Sequence, residues 1–185
     1  MRRAIAILLL GAACPGLAGE LVPTAAPTKV KACLVPGYQE LYVAGAGLYV
    51  GGEQDAAQLE KMKSLGVKHV IDLRDAPATA TSLAPDAEAE VAKGLGLTYA
   101  RVPVKNGDDL TRENVERLQA ALLDTNGQPV LVHCATGNRV AALLALRAVW
   151  LEHKDPEQAL GFSRRSGLDA LEPVVLARLG AKPGP

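Results

Sequence analysis

From Leu41 onward, short apolar runs alternate with segments whose apolar residues recur at helical spacing. Leu41-Tyr42-Val43 and Leu48-Tyr49-Val50 read as two strands separated by Ala-Gly-Ala-Gly, and Gly51-Gly52 ends the second. Asp55 is placed to cap a helix whose stripe is Leu59, Met62 and Leu65, with Gly66 closing it. Val67–Leu73 predicts a strand, Pro77–Pro85 a loop, and Asp86–Lys93 a short helix ended by Gly94 and Gly96. Leu97–Val104 predicts another strand and Lys105–Leu110 a polar loop. Thr111 suits the N-cap of a helix buried through Val115, Leu118, Ala121 and Leu122. Pro129–Val132 is wholly apolar, as a strand in a sheet covered on both faces must be. Val140–Leu151 is apolar nearly all round and reads as a central buried helix. Asp155-Pro156-Glu157 starts a further helix with Pro in its first turn, and a last one runs from about Leu168 to Leu179. Strands alternating with helices predict an α/β fold of three layers, with a mainly parallel central sheet of four to five strands flanked by helices.

The first forty residues follow a different rule. Arg2 and Arg3 precede an apolar run from Ala4 to Ala13, and small residues follow around Gly16–Gly19. That is the order of a secretory signal peptide, with cleavage expected near residues 18–20, and the run is too short to span a bilayer. The expected division is a signal peptide at 1–19, a linker or N-terminal arm at 20–40, and one domain at 41–180. Export to the periplasm or the medium follows, with no membrane span. Cys14 also sits where a lipoprotein processing site would place it, so a lipid anchor there is the alternative; Gly11 stands where such sites usually carry Leu.

Composition narrows the chemistry. The hydrophobic fraction is 49%, so the chain is not disordered, and aromatics at 3% leave Leu, Val, Ile and Ala to build the core. Twenty basic residues balance twenty acidic ones, which removes the electrostatic ground for a nucleic-acid partner. Beyond the leader the cysteines are Cys33 and Cys134; they could pair in an oxidising compartment, but a free Cys134 kept for chemistry is the preferred reading. The three histidines show no zinc-ligand spacing, so neither metal nor other cofactor is expected, and His69 reads as a packed or half-exposed strand residue.

The chemistry concentrates in His133-Cys134-Ala135-Thr136-Gly137-Asn138-Arg139. An apolar strand runs into Cys134, and a buried helix begins at Arg139. Small and polar residues between them aim successive amides and a helix N-terminus at one point, which makes an anion cradle of Ala135, Thr136, Gly137 and Asn138. Gly137 lets the backbone turn, and Arg139 adds a two-pronged contact to a tetrahedral anion. A cysteine at the mouth of such a cradle feels the same field, which favours its thiolate.

His-Cys-x-x-Gly-x-Arg between a strand and a helix resembles the signature of protein tyrosine and dual-specificity phosphatases. Together with Gly47-Leu48-Tyr49-Val50-Gly51-Gly52 and Leu65-Gly66-Val67-Lys68-His69-Val70-Ile71-Asp72-Leu73-Arg74, it is most similar to the bacterial branch related to beta-lactamase-hydrolase-like proteins. The resemblance covers roughly Leu41–Leu151 and implies a cysteine-phosphatase-like fold. It implies that Cys134 attacks phosphorus to form a thiophosphate, that Arg139 and the loop amides hold the oxygens, and that His133 supports the loop by hydrogen bonding. It also implies an acid on an upstream loop, for which Asp108 stands slightly ahead of Asp109. The implied partner is a phosphorylated small molecule or a phosphoprotein. Four residues separate Cys134 from Arg139 where the common phosphatase loop has five, and Val140 follows where Ser or Thr is usual. The shorter loop also matches rhodanese-like sulfurtransferases, so persulfide chemistry on Cys134 and a non-catalytic anion-binding module stay open beside hydrolysis. Arg74, just past a strand end, is expected either to reach substrate or to pair at the surface.

Overall fold

The computed structural model describes residues 33–34, 41–45, 47–77 and 83–180. The expected signal peptide, Cys14, most of the linker and the 181–185 tail lie outside the described residues. Strands β1 (Cys33–Leu34), β2 (Leu41–Gly45), β3 (Leu48–Gly51), β4 (His69–Asp72), β5 (Thr98–Arg101) and β6 (Val130–His133) form one sheet ordered β1-β2-β3-β6-β4-β5. The pairs β3–β6, β6–β4 and β4–β5 are parallel, and β1–β2 and β2–β3 are antiparallel. The five longer strands are the mainly parallel sheet that the alternation predicts; β1 adds two residues from the expected arm at the antiparallel edge.

Six helices cover the two faces: α1 (Ala56–Ser64), α2 (Pro85–Gly94), α3 (Arg112–Leu123), α4 (Asn138–Trp150), α5 (Pro156–Arg165) and α6 (Glu172–Leu179). Strand side chains alternate between faces, so β6 splits its residues between two cores. Leu131 packs with Met62 of α1, whereas Val130 and Val132 join the main core with α3, α4, α5 and α6. The helices start where the caps predict. Asp55 accepts from the Gln58 amide while the Gln58 side chain accepts from the Asp55 amide, a reciprocal cap. Thr111 caps α3 through the Asn114 amide. Helix α4 buries every residue from Val140 to Ala148, each fully buried Leu contributing about 1.5–3 kcal/mol. No helix among the described residues is long and apolar enough to cross a membrane.

The last helix begins at Glu172, four residues later than its apolar pattern suggests. Gly167 is left-handed at φ +99°, which breaks the helical path, and Pro173 falls in the first turn of α6, where its missing N–H costs nothing. Leu168 is spent on the core instead.

The topology creates one crevice. From β3 the chain crosses by α1 and α2 on one face to β5, then returns on the opposite face by α3 to insert β6 between β3 and β4. Beyond the carboxyl ends of β3 and β6 the departing segments diverge to opposite faces, and ligands of open parallel sheets bind at such a divergence.

Candidate active site

The loop predicted to carry the chemistry fills that crevice. The Cys134 amide donates to the Gly51 carbonyl at 3.2 Å, and the Glu53 amide donates to the Ala135 carbonyl at 3.1 Å. Gly52 and Thr136 pair as an isolated antiparallel bridge. The segment after β3 therefore clamps the first half of the loop. Gln54, buried behind it, donates to the Gly52 carbonyl at 2.8 Å. Gly137 then turns the chain at φ +86° and stands as the N-cap of α4. A Cβ there would lie 3.6 Å from the Gly51 carbonyl carbon and oxygen, an ordinary contact, so conformation rather than space requires glycine.

Cys134 is a free thiol, 1% exposed. The Gly137 amide donates to its Sγ at 3.2 Å. The sulfur thus sits below the first turn of α4, where the orphan amides and the positive end of the helix point. Arg139, half-buried one residue into α4, donates through Nη1 to the Val104 carbonyl at 2.5 Å. Val104 opens the polar segment that carries the candidate acids, so the guanidinium ties that segment to the cradle.

The two acids differ in availability. Asp109 Oδ2 accepts from the Lys105 amide at 2.7 Å, which commits it to its own turn. Asp108 is exposed, and its carboxylate makes no hydrogen bond or ion pair among the described residues. Its amide is held by Asn106 Oδ1 at 2.8 Å, and its carbonyl accepts from Arg178 of α6 at 3.3 Å. Of the remaining loop residues, Thr136 is exposed and Ala135 half-buried. Asn138 turns to the α5–α6 connection, where its Oδ1 accepts from the Asp169 amide at 3.2 Å.

His133 points the other way. Alternation sends its side chain into the layer beneath α2, where Nε2 lies 2.8 Å from Glu88 Oε1 and 3.9 Å from Asp72 Oδ1. The Glu88 oxygen is off the direction of an aligned N–H bond, and Nδ1 has no hydrogen-bond partner among the described residues. The side chain makes no hydrogen bond to the loop. The anchoring near Cys134 comes from main chain: the His133 carbonyl accepts from the Leu73 amide at 2.8 Å.

Arg74 is neither a substrate contact nor a surface partner. It is completely buried, and its Nη2 pairs with Asp72 Oδ2 at 2.8 Å and with Glu88 Oε2. The Tyr99 hydroxyl donates to Asp72 Oδ2 at 2.8 Å. Burial works against the Asp72 charge, but hydrogen bonds from Arg74 and the charge of His133 prevail and hold its carboxyl below 3.8. Burial, then the Asp72 and Glu88 charges, push the Tyr99 hydroxyl up, so it stays a donor. Asp72, Glu88 and His133 bring ligand atoms within 4.8 Å of one another, yet the Arg74 guanidinium already lies between the two carboxylates as their cation. Sequence reasoning missed this cluster. Its one signal is Glu88, an acid three and four residues before the apolar Val91 and Ala92, on the stripe that faces the sheet.

The architecture has known counterparts. The chain is 32% identical over 116 residues to a beta-lactamase hydrolase-like protein of Xylella fastidiosa, an alignment covering 62% of this chain and 26% of that protein. This chain thus spans about a quarter of that relative's length. A candidate phosphatase from Neisseria meningitidis superposes with TM-score 0.64 at 22% identity, covering 76% of this chain and 96% of that one. TpbA of P. aeruginosa, solved as a variant in complex with pTyr, superposes with TM-score 0.58 at 19% identity, covering 82% and 90%. Both likenesses establish the fold. The model of the family described as "DSP-PTPase phosphatase fused to NAD+ Kinase" matches residues 40–170, so the chain belongs to that phosphatase family.

Proposed function

We propose that this protein is an exported, cysteine-dependent phosphatase that hydrolyses phosphomonoesters through a thiophosphate on Cys134. The observation that carries the reading is the placement of one sulfur under the first turn of α4, receiving the Gly137 amide, with Arg139 one residue into the same helix. Helix-end amides favour negative charge on that sulfur and on an oxyanion beside it. In the first step the Cys134 thiolate attacks phosphorus, the bond to the ester oxygen breaks, and Asp108 gives that oxygen its proton. In the second, water attacks phosphorus, its proton goes to the Asp108 carboxylate, the P–S bond breaks and phosphate leaves. Loop amides of Ala135 to Asn138 and the Arg139 guanidinium hold the non-bridging oxygens throughout, where their charge counts most in the transition state. A phosphorylated small molecule or a phosphoprotein would be the substrate. The pTyr complex of TpbA makes an aryl phosphate the first to try.

Phosphate release from an aryl phosphate should be abolished by Cys134→Ser; equal rates in the two proteins would end the proposal. The four-residue gap favours one second reading, sulfur transfer through a Cys134 persulfide. Mass spectrometry after exposure to thiosulfate would then find one extra sulfur on Cys134. Export is tested by fractionating cells that express the full chain: a mature protein shortened near residues 18–20 in the extracytoplasmic fraction is expected, and an uncut cytoplasmic chain would refute it.

A further inference from the structure

We propose that α6 is the seat of the acid-bearing turn, with Val174 and Arg178 as positioning residues for Asp108; the consequence for turnover rests on the reading of Asp108 as the acid. The turn Gly107–Asp109 lies against this helix at its first residue. A Cβ on Gly107 would fall 3.2 Å from Val174 Cγ2, 3.4 Å from its Cγ1 and 3.5 Å from Leu171 Cδ2. Gly107 is not left-handed, so its backbone would accept a side chain. Space therefore requires glycine here, the reverse of Gly137. Val174 is β-branched and held in a helix, where one χ1 rotamer dominates, so its methyls cannot swing away. They set the distance at which the turn can approach.

One residue on, Arg178 Nη2 donates to the Asp108 carbonyl at 3.3 Å. That contact uses the main chain and leaves the Asp108 carboxylate clear. The helix is itself fixed relative to the cradle. Val175 and Leu176 are buried in the main core beside α4, and the Asp169 amide, just before α6, donates to Asn138 Oδ1 at the head of α4. A single short path of contacts thus runs from the loop that holds Cys134, through Asn138 and α6, to the turn that carries Asp108. Arg139 ties the other end of the same segment through the Val104 carbonyl. An acid must stand within hydrogen-bond reach of the leaving oxygen, and a misplacement of about 1 Å can cost about 10²-fold in rate. The length of that path is what α6 fixes.

Gly107→Ala drives the turn off Val174, and it is measured in the full chain. Its kcat should fall about 10²-fold on phenyl phosphate, whose leaving group needs the proton, and far less on p-nitrophenyl phosphate, whose leaving group does not. KM should stay put on both, because the cradle holds the phosphoryl group. A merely structural loss would lower both rates equally through the fraction of folded protein. Hydrogen exchange by mass spectrometry over residues 105–111 reads the seat without turnover, and Gly107→Ala should speed it. Adding Val174→Ala makes room for the new methyl and should restore both the slow exchange and the phenyl phosphate rate, a coupling expected only of residues in contact. Wild-type exchange in Gly107→Ala, or no recovery in the double variant, overturns the proposal. So does an equal loss on both esters when Asp108→Asn loses activity selectively on phenyl phosphate. Should Gly107→Ala not fold, wild-type exchange in Arg178→Ala overturns it equally. Fast exchange in Gly107→Ala beside an Asp108→Asn protein that shows no leaving-group preference would remove Asp108 as the acid and keep α6 as the seat of the turn.

Discussion

Replacing Arg74 by Met should be among the most destabilising single changes in the domain, and the loss should depend on pH in a direction set by Asp72. The side chain is completely buried and meets two carboxylates that are themselves 0% exposed. Breaking a buried pair by removing one partner costs about 3–5 kcal/mol, because the surviving charge is left without compensation. Against a typical domain stability of about 5–15 kcal/mol, that is a third or more of the total. Met fills most of the volume, so the cavity contribution is small. In the wild type, burial opposes the Asp72 charge while Arg74 and His133 hold its carboxyl below the ordinary 3.8. Its contribution is therefore present above that value and disappears as pH falls through the lower folded value. Without Arg74 the burial acts on Asp72 with much less opposition, and the folded variant takes up a proton at higher pH than the unfolded chain does. The deficit should be largest near pH 8 and shrink toward pH 5. Urea unfolding followed by Trp150 fluorescence at both pH values measures it. A loss below about 1 kcal/mol at pH 8, or one that grows toward acid, would refute the charge-balance reasoning. The variant Asp72→Asn, Arg74→Met, Glu88→Gln, which removes all three charges, should recover much of the stability.

Asp108→Asn should lower kcat about 10²–10⁴-fold on a phosphate ester with a poor leaving group and far less on an aryl phosphate with a good one. Equal losses on both would remove Asp108 from proton transfer. Gly137→Ala places a Cβ at φ +86°, which costs about 1–2 kcal/mol, and it should depress turnover beyond that stability loss because the amide that faces Sγ moves; unchanged turnover would show the amide is not needed. Leu146→Ala, at a fully buried position of α4, should cost about 2–5 kcal/mol by urea unfolding and leave KM unchanged. Glu172 pairs with Arg164 at 2.6 Å, and that hydrogen bond holds its carboxyl below 4.5. Both partners are partly exposed, so Glu172→Gln should cost under about 1 kcal/mol at pH 7. The difference should vanish as pH falls through the lower folded value; a difference that persists in acid would contradict the pairing.

The catalytic loop was legible because its signals are local. A wholly apolar strand, a cysteine, a glycine and an arginine at the head of a buried helix state their geometry within ten residues, and the structure assembles them at one crevice. The caps at Asp55 and Thr111 were legible for the same reason. What was not legible needs contacts distant in sequence. Arg74 lies two residues past a strand end, where an exposed arginine is usual; only the pairing of β4 with β6 and the descent of α2 onto both bury it. Glu88 sits 45 residues from His133, and helical spacing alone does not say which acid will face the sheet. The late start of α6 is also a tertiary effect: the apolar Leu168 continues a helical pattern, but the chain turns at Gly167 to lay Asp169 against Asn138.

The two layers meet at β6, and its alternation explains why the residues that serve the site are neighbours with opposite surroundings. Val130, Val132 and Cys134 share the face that packs on α4, while Leu131 and His133 share the face beneath α1 and α2. Sliding the strand by one residue would exchange the two sets, sending the sulfur toward the buried carboxylates and the imidazole toward the apolar core. Both outcomes are unfavourable, since the sulfur would leave the first turn of α4 and the imidazole would lie in the apolar core without a polar partner. The apolar alternation of β6, with the polar cluster around Arg74 on one of its faces, thus fits the register that puts Cys134 under the first turn of α4.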